Sequence, residues 1–257
     1  MIKRVYRSKL DIENLSRLRT SIPRDVDKFD YKGVVVNKPW GYEYLMFENS
    51  QVAIWILNIK EGYSTSMHCH PTKRTSFAVL CGEVVCSNLE GWTIRREGEG
   101  LLVDEAAFHS TKAVSQGDAL VMEIESPPNK KDLVRLKDEY GRKDFGYEDK
   151  DKMTNKTSNY EYVDFHNLNL KSNTGKKIRN CKIRVQVNKN TSDINKKLQK
   201  EFCSIICLLQ GKILDHDGNV VLSTGDIAPL SEIKSKKKLV AFGETIYLTL
   251  SYNDKKN

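Results

Sequence analysis

The sequence lacks any run of about 20 apolar residues, which is the length that a membrane-spanning helix needs. Its first residues, from Met1 to Arg7, turn polar before an apolar segment of the signal-peptide kind develops. Both absences predict a soluble protein that has no membrane segment and stays in the cytoplasm. With 6 prolines and 15 glycines among 257 residues, the chain is also not collagen-like, of low complexity or wholly disordered.

CxxC pairs and zinc-ribbon spacings are missing, although the chain has six cysteines. A chain of this length does not need disulfides to fold, so we expect reduced thiols, several of them buried. They are Cys69, Cys81, Cys86, Cys181, Cys203 and Cys207.

The sequence has a net charge of +8, but no helix concentrates arginine on one face with aromatic residues between. The lysine clusters stand in turns or near the C-terminus, so binding of nucleic acid is not expected. A solvated basic surface is the simpler interpretation, and such a surface suits a small anionic substrate.

From Val34 onward, short runs of β-branched, aromatic and aliphatic residues alternate with Gly, Asn, Asp and Pro. Many short strands at near-regular spacing are typical of a β-sandwich or β-barrel. Strands that run into a glycine, and Gly-Asp turns, occur in both halves, which predicts an internal duplication. Before the strands, Ile12, Leu15 and Leu18 stand three apart and predict a short helix over residues 8–20.

Apolar residues become scarce between residues 127 and 159, which predicts a polar connector. Within it, Asp132 as a cap and Leu133 and Leu136 on one face predict a short helix over residues 132–140. The predicted organisation has an N-terminal helical arm, a first β-barrel, the connector and a second β unit. Their boundaries are 1–33, 34–126, 127–159 and 160–257.

Three of the five histidines form a pattern that suits metal binding. On a strand, residues i and i+2 point to the same face, so His68 and His70 can reach one ion while Cys69 points away. His109 on a neighbouring strand would complete a set of three imidazoles with open positions for water or substrate. Single histidines are more often packed in a core or exposed, and His166 and His216 are assigned to that class.

The spacing of Gly62, His68, His70 and Gly82 resembles the first motif of the cupin superfamily, and Gly98 and His109 fit the second. The resemblance covers residues 34–126 well and residues 160–252 only as a degenerate copy without histidines at the ligand positions. It implies an all-β protein with two jelly-roll cupin barrels in tandem, of which the first, after a short N-terminal helix, binds metal.

The cupin motif has a glutamate where this sequence has Thr75. The resemblance then implies one divalent ion, such as zinc, manganese, iron or nickel, held by imidazoles alone. A nearby acid could replace the missing ligand or act as general acid or base. The candidates are Glu43, Glu83, Glu105 and Glu123.

The segment Lys38–Glu43 resembles a box that precedes the metal motif in cupin domains of the bacterial phosphomannose isomerase type. It suggests an enzyme of carbohydrate or surface-polysaccharide biosynthesis, and its Trp40 is a candidate for substrate binding or a core anchor. Lys73 and Arg74 follow His70 and could hold a phosphate or carboxylate group at the barrel mouth, or could be a solvent-facing turn.

The leading functional hypothesis is an isomerase-like or epimerase-like cupin that acts on a sugar phosphate or nucleotide sugar. One alternative is a non-haem iron dioxygenase of a small metabolite, because three histidines leave room for oxygen and substrate. Another is a non-catalytic sugar-binding or metabolite-binding module. Because exposed edge strands gain from being covered, a homodimer is also predicted.

Overall fold

The computed structural model describes residues 2–18, 29–143, 146–167, 174–189, 194–236 and 238–252. The α-helices of these residues are α1 Lys9–Arg17, α2 Ile194–Lys200 and α3 Leu230–Ser235, and 3₁₀ turns occur at Lys150–Lys152 and Thr157–Asn159. The first strands are β1 Ile2–Val5, β2 Val35–Lys38, β3 Gly41–Glu48, β4 Ala53–Ile59, β5 Met67–Cys69, β6 Arg74–Cys81, β7 Glu83–Asn88, β8 Trp92–Arg96, β9 Gly100–Val103, β10 His109–Ala113, β11 Ala119–Ser126, β12 Val134–Lys137 and β13 Met153–Thr154. The remaining strands are β14 Thr174–Ile178, β15 Cys181–Asn188, β16 Ile205–Leu214, β17 Val220–Ser223, β18 Ile227–Pro229 and β19 Val240–Tyr252.

Two sheets build the N-terminal barrel. The large sheet has the strand order β1-β9-β6-β11-β4-β3-β2-β13, and the small sheet has the order β12-β5-β10-β7-β8. One apolar core contains Trp55, Phe77 and Val121 of the large sheet together with Val84 and Ala113 of the small sheet. The two sheets therefore face each other around this core, as in a jelly-roll barrel.

Both faces of the large sheet are buried, which explains its long apolar runs. Along β6, Phe77 and Val79 point into the barrel core, whereas Ala78 and Leu80 point into a second core on the opposite face. That second core is shared with the C-terminal strands, and β4, for the same reason, is buried along its whole length.

The described strands of the C-terminal part form one sheet, in the order β14-β15-β19-β16-β17, with β18 beside β16. Its register shifts twice along β16 and β19, at Leu208/Gln210 and at Gln210/Lys212. One face packs on the large sheet, and the other packs against α2 and α3. The all-β class, a jelly-roll barrel in the N-terminal half and the short N-terminal helix are confirmed, and the described strands of the half that was predicted to be a second barrel form this single sheet.

The segment that was predicted to be a polar connector packs on the barrel. The prediction of a helix over residues 132–140 was wrong, because β12 forms there and pairs antiparallel with β5. Val134 and Leu136 contact one apolar cluster, whereas Arg135 between them lines a cavity on the other face, which is the two-residue period of a strand. The domain boundaries themselves stay a prediction.

The N-terminal arm also joins the barrel. Strand β1 adds to the edge of the large sheet in parallel with β9, and α1 confirms the predicted helix up to Arg17. Residues 19 and 20 of that prediction lie outside the described residues, as do Lys237, Lys255 and Lys256 of the lysine clusters. No helix in the described part of the chain combines the length and the apolar character required to span a membrane.

Candidate metal centre

The three histidines of the HxH and FH segments lie together inside the barrel. His68 stands on β5 directly opposite His109 at the start of β10, and His70 follows the end of β5. Their ring centroids are 4.6 Å apart for His68 and His109, 5.0 Å for His68 and His70, and 5.3 Å for His70 and His109. One nitrogen from each ring lies within 4.8 Å of the other two. Cys69 points the other way, into a separate apolar cluster.

Backbone carbonyls fix the orientation of all three rings. Nδ1 of His68 donates to the carbonyl of Ser66 (2.8 Å), Nδ1 of His70 to Asp132 (2.6 Å), and Nδ1 of His109 to Ala107 (2.9 Å). Because Nδ1 carries the proton, each Nε2 presents a lone pair.

The Nε2 atoms of His70 and His109 are buried without a hydrogen-bond partner in the described structure. Burial is the main cause that lowers the pKa of the three imidazoles, His68 included, which keeps them neutral. Neutral imidazoles with converging lone pairs are the ligand set of a divalent transition metal, so these residues fit the group that the sequence motif implies.

Glu123 on β11 places a carboxylate beside this cluster. Its side chain is 7% exposed, and its Oε1 atom lies 3.7 Å from Nε2 of His70. Among the described residues, no lysine or arginine nitrogen lies within ion-pair distance of Glu123. A buried carboxylate ordinarily has a cation next to it, and a metal ion at the three Nε2 atoms would supply one.

Thr75, which replaces the glutamate of the cupin motif, is buried on β6, and its hydroxyl has no hydrogen-bond partner in the described structure. The next strand of the sheet carries two acids: Glu125 pairs with Thr75, and Glu123 pairs with Phe77. The ring of Phe77 contacts that of His109. The carboxylate that β6 lacks is thus present on β11.

The other candidate acids differ in position. Glu43 lines the cavity beside the histidines, where Lys130 and Lys38 lie 3.1 and 3.4 Å away and Tyr147 donates a hydrogen bond. Burial opposes its ionisation, but these two lysines outweigh burial and lower the pKa of Glu43 to about 2.

Two of the candidate acids lie away from the cavity. Glu83 pairs with Arg96 on the outer strands β7 and β8, at 2.5 Å, and Glu105 is exposed. Sequence alone offered no way to choose among the four acids, because the choice depends on which face of each strand points inward.

The predicted substrate-binding residues are divided between two places. Trp40 and Lys73 line the cavity, and Nζ of Lys73 lies 2.9 Å from Glu125. Arg74 is not there: it pairs with Asp226 of the C-terminal sheet at 3.2 Å. Arg74 begins β6 and Lys73 immediately precedes it, and the two side chains point to opposite faces of the large sheet.

The cavity next to the histidines has a volume of about 50 Å³. Much of its wall comes from the segment that follows β11, which was predicted to be a polar connector. The charges of this segment have no periodic pattern, and only the strand pairing of β12 reveals that some of its side chains face the cavity. The cavity-lining side chains of this segment are Lys130, Leu133, Arg135, Arg142, Tyr147 and Glu148.

The N-terminal helix also reaches the centre. Asp11, on the first turn of α1, is 3% exposed, and its Oδ1 accepts the backbone N–H of Phe108 at 2.9 Å. Its Oδ2 accepts the backbone N–H of Ser8 at 2.7 Å and closes a capping box. The helix is therefore anchored to the residue that precedes His109.

No protein-family model matches the sequence, and no curated protein matches it either. Solved structures are similar in fold. KdgF from a Halomonas species has a TM-score of 0.33 and 14% identity, over 41% of this chain and 90% of that chain. A protein with a double-stranded β-helix domain from Klebsiella pneumoniae has a TM-score of 0.35 and 12% identity, over 37% of this chain and 79% of that chain. A cupin-superfamily sugar phosphate isomerase from Silicibacter pomeroyi has a TM-score of 0.32 and 12% identity, over 41% of this chain and 70% of that chain. All three TM-scores lie below 0.5, so the fold of this chain is assigned from the sheets described above.

Proposed function

We propose that the protein is a metal-dependent enzyme in which His68, His70 and His109 hold one divalent ion. The observation that carries this proposal is the set of converging Nε2 atoms, each aligned by a carbonyl at its own Nδ1. Zinc, manganese, iron and nickel all suit imidazole ligands, and the donor set does not favour one of them. When bound, such an ion polarises a carbonyl or hydroxyl oxygen of a substrate.

Glu123 is the group that moves the proton. Its carboxylate faces the same space as the imidazoles, and among the described residues no lysine or arginine nitrogen lies within ion-pair distance of it. A carboxylate beside a bound substrate can take a proton from a carbon next to a carbonyl and return it to a neighbouring atom. The reaction class is therefore an isomerisation or epimerisation.

The substrate is a small anionic carbohydrate, such as a sugar phosphate or nucleotide sugar. Five basic and four acidic side chains line the cavity, so it has a positive excess before any metal is added. The resemblance of Lys38–Glu43 to the phosphomannose isomerase box supports the same substrate class and a place in carbohydrate or surface-polysaccharide biosynthesis. Trp40 and Lys73 are the wall residues that would contact such a substrate.

Metal analysis of protein that is purified without a histidine tag tests the metal centre. We expect about one equivalent of a divalent metal in the unchanged protein and loss of that metal in His109→Ala, because two imidazoles bind more weakly than three. Metal contents far below one equivalent, with ligand binding unaffected by His109→Ala, would favour a non-catalytic binding module.

Solvent exchange tests the proton transfer. Sugar phosphates incubated with the enzyme in deuterated water should gain deuterium at a carbon beside the carbonyl, and Glu123→Gln should abolish this while keeping metal. Glu161→Gln is a matched control, because Glu161 pairs with Arg179 at 2.6 Å on the outside of the barrel. Iron content combined with oxygen uptake, and no deuterium incorporation, would instead favour a dioxygenase.

A further inference from the structure

A carboxylate already occupies the most basic part of the cavity. Nη1 of Arg142 donates to Oε1 of Glu148 at 2.6 Å, and Nη2 of Arg135 lies 3.5 Å from the same oxygen. Nζ of Lys38 contacts the other oxygen, Oε2. The side chains of Lys38 and Arg135 are each 4% exposed, and that of Arg142 is 16% exposed. Three largely buried cations thus meet at Glu148, and two of them have a second carboxylate partner: Arg142 pairs with Asp138 at 2.6 Å, and Lys38 lies 3.4 Å from Glu43.

The side chains of this cluster come from different parts of the fold. Lys38 ends β2 and Arg135 lies on β12, so the barrel strands hold these two cations in place. Glu148 lies between β12 and β13, outside any strand. Its segment is attached through side chains: Arg135 also donates to the carbonyl of Gly146 at 2.5 Å, and Tyr147 donates to Glu43. Glu148 and Arg142, which both lie between β12 and β13, are thus the members of this cluster that no strand carries.

The size of the cavity gives a second reason to regard Glu148 as a replaceable group. A volume of about 50 Å³ holds a few water molecules, because one water needs roughly 10–15 Å³ measured in this way. A sugar does not fit beside His68, His70 and Glu123 while Tyr147 and Glu148 fill the remaining space. A substrate that displaces Glu148 would bring its own oxyanion to the place that this carboxylate leaves beside Lys38, Arg135 and Arg142.

We propose that Lys38, Arg135 and Arg142 form the binding site for an oxyanion group of the substrate, and that Glu148 occupies this site as a tethered substitute when substrate is absent. The inference rests on the proposed function for the identity of the substrate. Two guanidinium groups and one ammonium suit the several oxygens of a phosphate group, and a carboxylate can use the same donors. A tethered carboxylate competes at an effective concentration in the millimolar range or above, which weakens binding of the free anion.

Titration with inorganic phosphate, followed by calorimetry, tests the site. Removing the tethered competitor in Glu148→Gln should lower the Kd for phosphate by about tenfold or more. Combining Glu148→Gln with Arg142→Gln should cancel the gain. Glu161→Gln, which also removes a carboxylate from an arginine pair, should bind phosphate like the unchanged protein. A parallel titration with acetate shows whether the site prefers phosphate or carboxylate.

The proposal is overturned if Glu148→Gln binds phosphate no more tightly than the unchanged protein, or if the gain survives Arg142→Gln. Should Glu148→Gln not fold, hydrogen exchange on the unchanged protein decides. Phosphate, compared with chloride at equal ionic strength, should speed amide exchange of residues 146–148, and unchanged exchange overturns the proposal.

These titrations are independent of the metal-centre test. Phosphate binding is measured on metal-free protein, in which His109→Ala should leave the gain from Glu148→Gln intact. Tighter phosphate binding by Glu148→Gln, without any catalysis by the unchanged protein, would refute the proposed enzyme and support the anion site. Catalysis by the unchanged protein, without tighter phosphate binding by Glu148→Gln, would refute the anion site alone.

Discussion

Replacement of Asp11 by alanine tests whether the N-terminal helix holds the metal centre in place. The substitution leaves the buried N–H of Phe108 without its acceptor, which costs about 1–3 kcal/mol. It also opens the capping box at Ser8, which costs about 1 kcal/mol. We therefore expect the free energy of unfolding to fall by about 2–4 kcal/mol.

Urea denaturation measures this change as a shift of the midpoint at a constant slope. Glu13→Ala is the matched control on the same helix, because Glu13 is exposed and its pair with Arg17 spans 3.7 Å, so its effect should stay within about 0.5 kcal/mol. Metal affinity should also drop in Asp11→Ala, by about 10-fold to 100-fold, since Phe108 adjoins His109. An Asp11→Ala protein as stable as Glu13→Ala, with unchanged metal affinity, would refute the anchoring role.

Three further outcomes are expected. Thr75→Val should keep or raise the melting temperature and leave metal content unchanged, because it removes a buried hydroxyl that has no partner in the described structure; loss of metal would show that Thr75 is a ligand. The ionised Glu43 stabilises the fold above the pKa of about 4.3 that an unfolded glutamate has, and this contribution disappears as the pH falls towards its folded pKa of about 2. Melting curves of the unchanged protein and Glu43→Gln should therefore converge over this range, and a constant difference would contradict the pairing with the lysines. Light scattering should give about twice the 29.5 kDa of one chain, and Trp92→Glu should give a monomer if the edge strand β8, whose Trp92 is 69% exposed, forms the interface.

The strands of the barrel and the convergence of the histidines were predictable because both depend on short-range patterns. Residues i and i+2 of a strand share a face, so His68 and His70 had to lie together once β5 was a strand. The spacing to His109 came from the resemblance to cupins. These predictions did not require knowledge of how distant segments pack.

The walls of the cavity were not predictable in the same way. Residues 132–140 have leucines at helical spacing, and only pairing with β5 makes four of them, Val134–Lys137, a strand. Glu148 reads as one charge among many in a polar segment, and its burial depends on cations from β2 and β12. Arg74 was misplaced because the sequence does not show that a second sheet covers the outer face of β6.

The large sheet separates two apolar cores, and the strands of the C-terminal half cover the second of them. Without that half, the outer faces of β4, β6 and β11 would be exposed to solvent, with the apolar side chains of Ile54, Leu80 and Met122 on them. A fragment that ends near residue 159 should therefore aggregate. The C-terminal sheet thus covers the outer face of the large sheet, and we expect substitutions on its buried face to be limited by side-chain shape and apolar character.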